Sequence, residues 1–369
     1  MHRSTSRVAA GLAPGLIVVM LAACTGSNAP VGSGSSTTTG AGGGGGGGGG
    51  KKVALLLPES KTTRYDALDR PLFEAAVKSR CADCQVTYSN AGQDASKQQE
   101  QFQAALAQGA NVIVLDPVDG KAAESLVDSA RRRQVPVIAY DRFIAGANYY
   151  VSYRNEEVGK LQAQTLVDRI EESGKTSGKL LVVNGSPTDP NTTQLKKGAH
   201  SVLDGSGFTI AAEYDTPAWS PDKARDWVES QLGSVKSDLV GVYAANDGTA
   251  GGAITALEGG GVKPLPPVTG QDAELAAIQR LVAGQQTMTV YKAIKPQARD
   301  AAWAAIALAG GQKATGMSGD TEGVPTTLLN PVVVTVESIK DTVVADGVYK
   351  LSDICTGDFA AACTKAGLG

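Results

Sequence analysis

From Lys51 onward, short apolar runs rich in β-branched residues alternate with amphipathic stretches of helical length, and that alternation leaves few folds open. Eleven runs read as strands: 53–57, 85–88, 112–115, 137–140, 149–152, 180–183, 208–211, 239–244, 268–270, 288–291 and 332–336. Nine helices are expected between them, at 70–79, 97–108, 122–132, 156–172, 192–203, 221–232, 249–257, 274–283 and 296–309. Strands that are apolar along their length and joined by helical crossovers imply parallel sheets covered on both faces. The fold class is therefore α/β, doubly wound. Eleven strands are too many for one open sheet, so two Rossmann-like sheets of five or six are expected, with a cleft between them. The length of 369 residues agrees with two domains.

The first fifty residues read differently. A basic start (His2, Arg3, Arg7), an apolar run from Val8 to Leu21 broken by Pro14, and Leu21-Ala22-Ala23-Cys24 follow the order of a secretory signal. Leu-Ala-Ala-Cys also resembles a bacterial lipobox, which implies a signal peptide of residues 1–23, cleavage before Cys24, and a lipid anchor on its sulfur. Residues 24–50 are rich in Gly, Ser and Thr and cannot bury apolar surface, so they read as a flexible tether. The expected location is the outer face of the cell membrane.

Composition excludes several activities. Lys+Arg number 34 against Asp+Glu 37, a formal charge of −3, which lacks the basic excess that nucleic acid demands. Of two histidines, His2 lies in the export segment, so His200 alone is left, too few for a His-rich zinc site or the usual Ser-His-Asp machinery. No serine has Gly at both flanking positions of G-x-S-x-G, and Ser173-Gly-Lys-Thr176 fails as a Walker loop because Arg169 stands at its upstream glycine position. No enzyme, cofactor or metal is expected. Apart from Cys24, four cysteines remain, Cys81, Cys84, Cys355 and Cys363, and an even number in an exported chain favours two disulfides. Three pairings are open; proximity favours Cys81 with Cys84 and Cys355 with Cys363. Cys81-x-x-Cys84 also has the spacing of a redox motif or half a zinc site.

Four strand ends carry an acid: Asp116, Asp141, Asp247 after Asn246, and Asp272 after Gln271. In open parallel sheets ligands bind beyond those ends. Asp116, followed by Pro117 and Asp119-Gly120, reads as turn and helix-capping chemistry. Asp141 is followed directly by Arg142, a cation that capping does not explain. Asp141, Arg142, Asn246, Asp272 and Lys292 supply directed donors and acceptors, and Tyr65 and Trp219 supply aromatic faces. That mixture suits a ring of hydroxyls whose C–H face packs on an aromatic.

The segments Ala139-Tyr-Asp141-Arg142, Asn184-Gly-Ser-Pro-Thr-Asp-Pro-Asn191, Ala245-Asn246-Asp247-Gly-Thr-Ala-Gly251-Gly252 and Gly270-Gln271-Asp272-Ala273, with Gln286-Thr-Met-Thr-Val-Tyr291-Lys292, resemble those of the type I periplasmic sugar-binding proteins. Over residues 51 to about 349 the chain is similar to the xylose-binding components of ABC transporters. The resemblance implies an N-terminal lobe of 51–154 and 293–328, a C-terminal lobe of 155–292 and 329–349, a tail of 350–369, and a hinge of three crossovers. It further implies ligand binding by Arg64, Tyr65, Asp141 and Arg142 from the first lobe, by Asn191, Trp219, Asn246 and Asp272 from the second, and by Lys292 at the hinge. Tyr65 stands where xylose-binding relatives usually carry Trp, and Pro190 where they usually carry Asn. The implied role is capture of one monosaccharide, xylose before glucose, arabinose or galactose, and its delivery to an ABC permease by a monomer. The alternative is a sugar-sensing accessory that presents the loaded lobes to a membrane receptor.

Overall fold

The computed structural model describes residues 50–369. The expected signal peptide 1–23, the anchor Cys24 and the tether up to residue 49 lie outside the described residues. Strand β1 (Lys52–Leu57) sits between β2 (Gln85–Asn90) and β3 (Val112–Leu115), and the sheet continues through β4 (Val137–Tyr140) and β5 (Tyr149–Tyr153), all parallel. The alternation of a strand splits β1 between two cores. Val53, Leu55 and Leu57 join the cluster under α1 (Arg70–Arg80). Ala54 and Leu56 join the one under α2 (Ala95–Ala107) and α3 (Gly120–Arg132).

After β5 the chain crosses at Arg154 into α4 (Asn155–Glu172) and builds a second sheet. Here β6 (Lys179–Asn184) lies between β7 (Thr209–Asp215) and β8 (Leu239–Ala244), with α5 (Pro190–Leu203), α6 (Pro221–Val235) and α7 (Asp247–Gly259) as crossovers. Past α8 (Leu275–Val282) comes β9 (Thr289–Tyr291); the chain then returns through Lys292 to α9 (Ile294–Ala309), which packs on the first sheet. It adds β10 (Gly319–Thr321) and β11 (Val324–Leu329) there and recrosses to β12 (Val332–Val334), which pairs antiparallel with β9.

Three expectations are corrected. Instead of two sheets of five or six strands, the first sheet has seven, because β11 joins β5 and carries β10 at the edge, and the second has three, with β9 and β12 forming a separate two-stranded sheet. In β11, Pro325 argues against a strand in sequence, yet sits where only the short edge strand β10 must pair with it. Residues 268–270 form no strand: Val268 makes a single bridge to Val242, and Pro266 and Pro267 before it have no amide hydrogens to extend a ladder. Residues 350–369, expected as a tail, fold into α10 (Leu351–Ile354) and α11 (Ala360–Lys365), whose Ile354 and Cys363, with Leu368, are buried against Ile278 and Tyr291. Helices this short leave no readable periodicity. The structure joins Cys81 to Cys84 and Cys355 to Cys363.

Helices α4 and α5 meet through two glycines. A Cβ on Gly198 would lie 1.9 Å from the Glu156 carbonyl oxygen, and one on Gly159 would lie 2.0 Å from that of Leu195. Backbone cannot yield as a side chain can, so Gly198→Ala is expected to cost about 1–3 kcal/mol in urea unfolding. Gly233→Ala, in α6 with open space around its Cβ position, should instead gain about 0.5–1 kcal/mol from helix propensity. Equal midpoints for the two variants would contradict the packing account.

Candidate functional site

The carboxyl ends of both sheets surround one cavity of about 290 Å³. Asp141 and Arg142 enter directly after β4, and Thr62 and Tyr65 from the loop after β1. The other sheet contributes Asn191 from the first turn of α5, Trp219 from the turn after β7, Asn246 from the N-cap of α7, and Gln271 and Asp272, with Lys292 following β9. Eight of the nine expected residues thus line the cavity.

Arg64 does not line it. The guanidinium lies behind the wall, donating from Nε and Nη2 to Asp69 at 2.9 and 2.7 Å, from Nη2 to Gln297 at 2.8 Å and from Nη1 to Asp141 at 3.3 Å. It braces the carboxylate that the cavity presents. Gln297, on α9, donates to the same Asp141 oxygen at 3.1 Å. Lys292 Nζ lies 3.2 Å from Asp272 and 4.0 Å from Asp141. Burial opposes the charge on Asp141, but Arg64, then Lys292 and the Gln297 amide, hold its carboxyl well below the usual range.

Arg142 is gripped from both sheets. Its Nε lies 2.7 Å from Asp189 and 3.4 Å from Asp116, and Nη1 donates to the Pro117 carbonyl at 2.9 Å. Asp116 backs Arg142 from behind the cavity wall rather than capping a helix: it is fully buried, neither oxygen has a hydrogen-bond partner, and Asp119 caps α3 in its place. Burial pushes the Asp116 and Asp189 carboxyls up, and Arg142 opposes it. Asp189 went unnoticed in the sequence because Asp-Pro is an ordinary helix start. It does accept the Asn191 amide at 2.8 Å, while its second oxygen accepts from Trp219 Nε1 at 3.0 Å.

Local backbone is strained where the side chains must converge. Asp141, Trp219 and Asp272 have φ of 60°, 51° and 95°. Such conformations cost about 1–3 kcal/mol each and persist only where the surroundings fix them. Two acceptors on the wall, Asp272 Oδ1 and Gln271 Oε1, are buried with no hydrogen-bond partner. Beside the site, burial raises Asp247 to about 7 and, with the Asp247 charge, Glu274 to about 8.

Residues 53–313 match the model of the periplasmic binding protein domain. A D-xylose-binding periplasmic protein of Escherichia coli (strain K12) is 35% identical over 295 residues, covering 78% of this chain and 87% of that one. One of Haemophilus influenzae gives the same figures. A multiple sugar-binding periplasmic receptor of Rhizobium radiobacter is 29% identical, over 71% of this chain and 81% of its own. Among solved structures, a carbohydrate transporter solute-binding protein from Chloroflexus aurantiacus in complex with D-glucose superimposes with a TM-score of 0.75 at 29% identity, over 82% of this chain and 98% of that one. An ABC transporter solute-binding protein from Clostridium phytofermentans, at 24% identity and a TM-score of 0.76 over 82% and 100%, shares the fold. These relatives bind solutes rather than transform them. With an α/β chain crossing three times between two lobes built on mostly parallel sheets, and a buried polar cavity at their carboxyl ends, the chain belongs to the periplasmic binding protein family, with the type I fold, and is not an enzyme.

Proposed function

We propose that this protein captures one monosaccharide, D-xylose foremost and glucose or arabinose next, between its two lobes and hands it unaltered to an ABC transporter permease. The observation that carries the reading is the cavity's lining: buried charged and amide groups from both sheets, with two aromatic side chains among them. Asp141, Arg142, Asn191, Asn246, Asp272 and Lys292 are the groups proposed to bind hydroxyls, with Tyr65 and Trp219 against the ring. Each charge-assisted hydrogen bond contributes about 1.5–3 kcal/mol, one to two decades of affinity. The lobes proposed to move are 51–154 with 293–328, and 155–292 with the remainder. Their hinge lies at Arg154, Lys292 and Asn330, where the chain passes between sheets. Membrane attachment through a lipid on Cys24, and a monomeric state, belong to the same proposal.

Several contacts join the lobes directly. Arg142 meets Asp189, the Thr188 hydroxyl donates to the Val118 carbonyl at 3.1 Å, and the Thr63 amide donates to Glu274 at 3.0 Å. Closure thus has a fixed set of partners, and a bound sugar adds to it. The second reading, a sugar-loaded sensor subunit, is favoured by one finding, the Rhizobium radiobacter relative named a receptor. Crosslinking in membranes distinguishes a permease from a receptor partner.

Calorimetry of the purified protein against a pentose and hexose panel tests the proposal, with D-xylose expected to bind most tightly; no heat from any sugar would reject it. Asp141→Ala should lower affinity by about two decades or more while the protein stays folded, and retained affinity would remove Asp141 from the site. Asp189→Asn keeps one oxygen for the Asn191 backbone amide but removes the acceptor for Trp219 and the charge facing Arg142. It should speed sugar release roughly tenfold in stopped-flow fluorescence with little change in association. An unchanged release rate would show that this pair does not hold the lobes.

A further inference from the structure

Because β1 to β5 and β11 are parallel, their amino ends share one face of the first lobe, opposite the sugar cavity. The loops and helix ends at that face carry eight cations: Lys51, Lys52, Lys78, Arg80, Arg131, Arg132, Arg133 and Lys313. Only three carboxylates, Asp83, Asp320 and Glu322, lie in the same loops. The chain as a whole is acidic, so this face stands out against it. Arg131 pairs with Asp128; among the described residues the other seven form no ion pair.

Helix dipoles account for some of these charges, since Lys78, Arg80, Arg131 and Arg132 fall in last turns. They do not account for Lys51 and Lys52 ahead of β1, nor for Lys313 in the loop before β10. A cluster of exposed cations without carboxylate partners is the composition of a surface that meets anionic lipid headgroups. The described chain also begins at this face: Gly50 packs beside Asp83, and Lys51 Nζ reaches the Gly310 turn. Forty-nine residues precede Gly50, among them the expected tether, which would hold the face within about 30 Å of a lipid on Cys24.

We propose that the base of the first lobe is a docking surface for an anionic lipid bilayer, with Arg132, Arg133 and Lys313 facing phosphate headgroups. Docked this way, the sugar cavity lies on the side of the lobe away from the contact. The proposal does not depend on the lipid anchor or on the identity of the sugar.

Residues 50–369 form one compact unit holding both sheets and all five apolar clusters, so this unit is the one to test, without any lipid. Its co-sedimentation is measured with vesicles of phosphatidylcholine alone and of phosphatidylcholine mixed with phosphatidylglycerol. Binding is expected to the mixed vesicles, reversed by salt, and weakened roughly tenfold or more by combined Arg132→Glu, Arg133→Glu and Lys313→Glu. Sugar calorimetry on the same samples should be unaffected by these substitutions, which verifies folding and keeps the two proposals apart. No binding to the mixed vesicles, equal binding to neutral ones, or full binding by the charge-reversed protein would overturn the proposal. So would retention on a soluble anionic polymer with none on vesicles, which assigns the face to a different partner.

Discussion

Charge removed from water is the constraint on which this structure turns. Arg64, Arg142 and Lys292 are buried together with Asp69, Asp116, Asp141, Asp189 and Asp272. An isolated buried charge is strongly unfavourable, and removing one partner of a buried pair typically costs about 3–5 kcal/mol. These groups are tolerable only because each lies within reach of an opposite charge, and several of those partners come from the other sheet. The formal excess of acids is eased by burial itself, which pushes Asp69, Asp116 and Asp189 toward the protonated form. Asp141 stays ionised because Arg64 and Lys292 both face it.

The fold supplies that convergence through parallel strands and their turns. Side chains that follow β4 and β8 emerge on the same side as the helix N-termini, and the three crossings bring the two sheets' carboxyl ends together. Positive φ at Asp141, Trp219 and Asp272 aims side chains that regular backbone would send elsewhere. Ordered apolar packing beneath, from β1 through α9, is what can sustain such strain.

Much of this was legible in the sequence, for identifiable reasons. Strands buried on both faces read as continuous apolar runs, and long helices repeat often enough to show a period. Asp141 was visible because Arg142 beside it has no capping role. What stayed hidden depended on distance in the chain. Asp189 and Asp116 look like helix-start and turn residues until Arg142 is placed between them, and Gln297 is an ordinary helix position until α9 lies against β4. Arg64 was read as part of the wall, whereas its fork is filled by Asp69 and Gln297. Strand β11 was masked by Pro325, and the short terminal helices by their length.

The account rests on the sugar's place among these charges, and a crystal structure of the protein grown with D-xylose tests it most directly. Density for one intact pyranose is expected within hydrogen-bond distance of Asp141, Arg142, Asn246 and Asp272, with Trp219 or Tyr65 against its face. A sugar lodged elsewhere, or those four side chains turned away from it, would contradict the account.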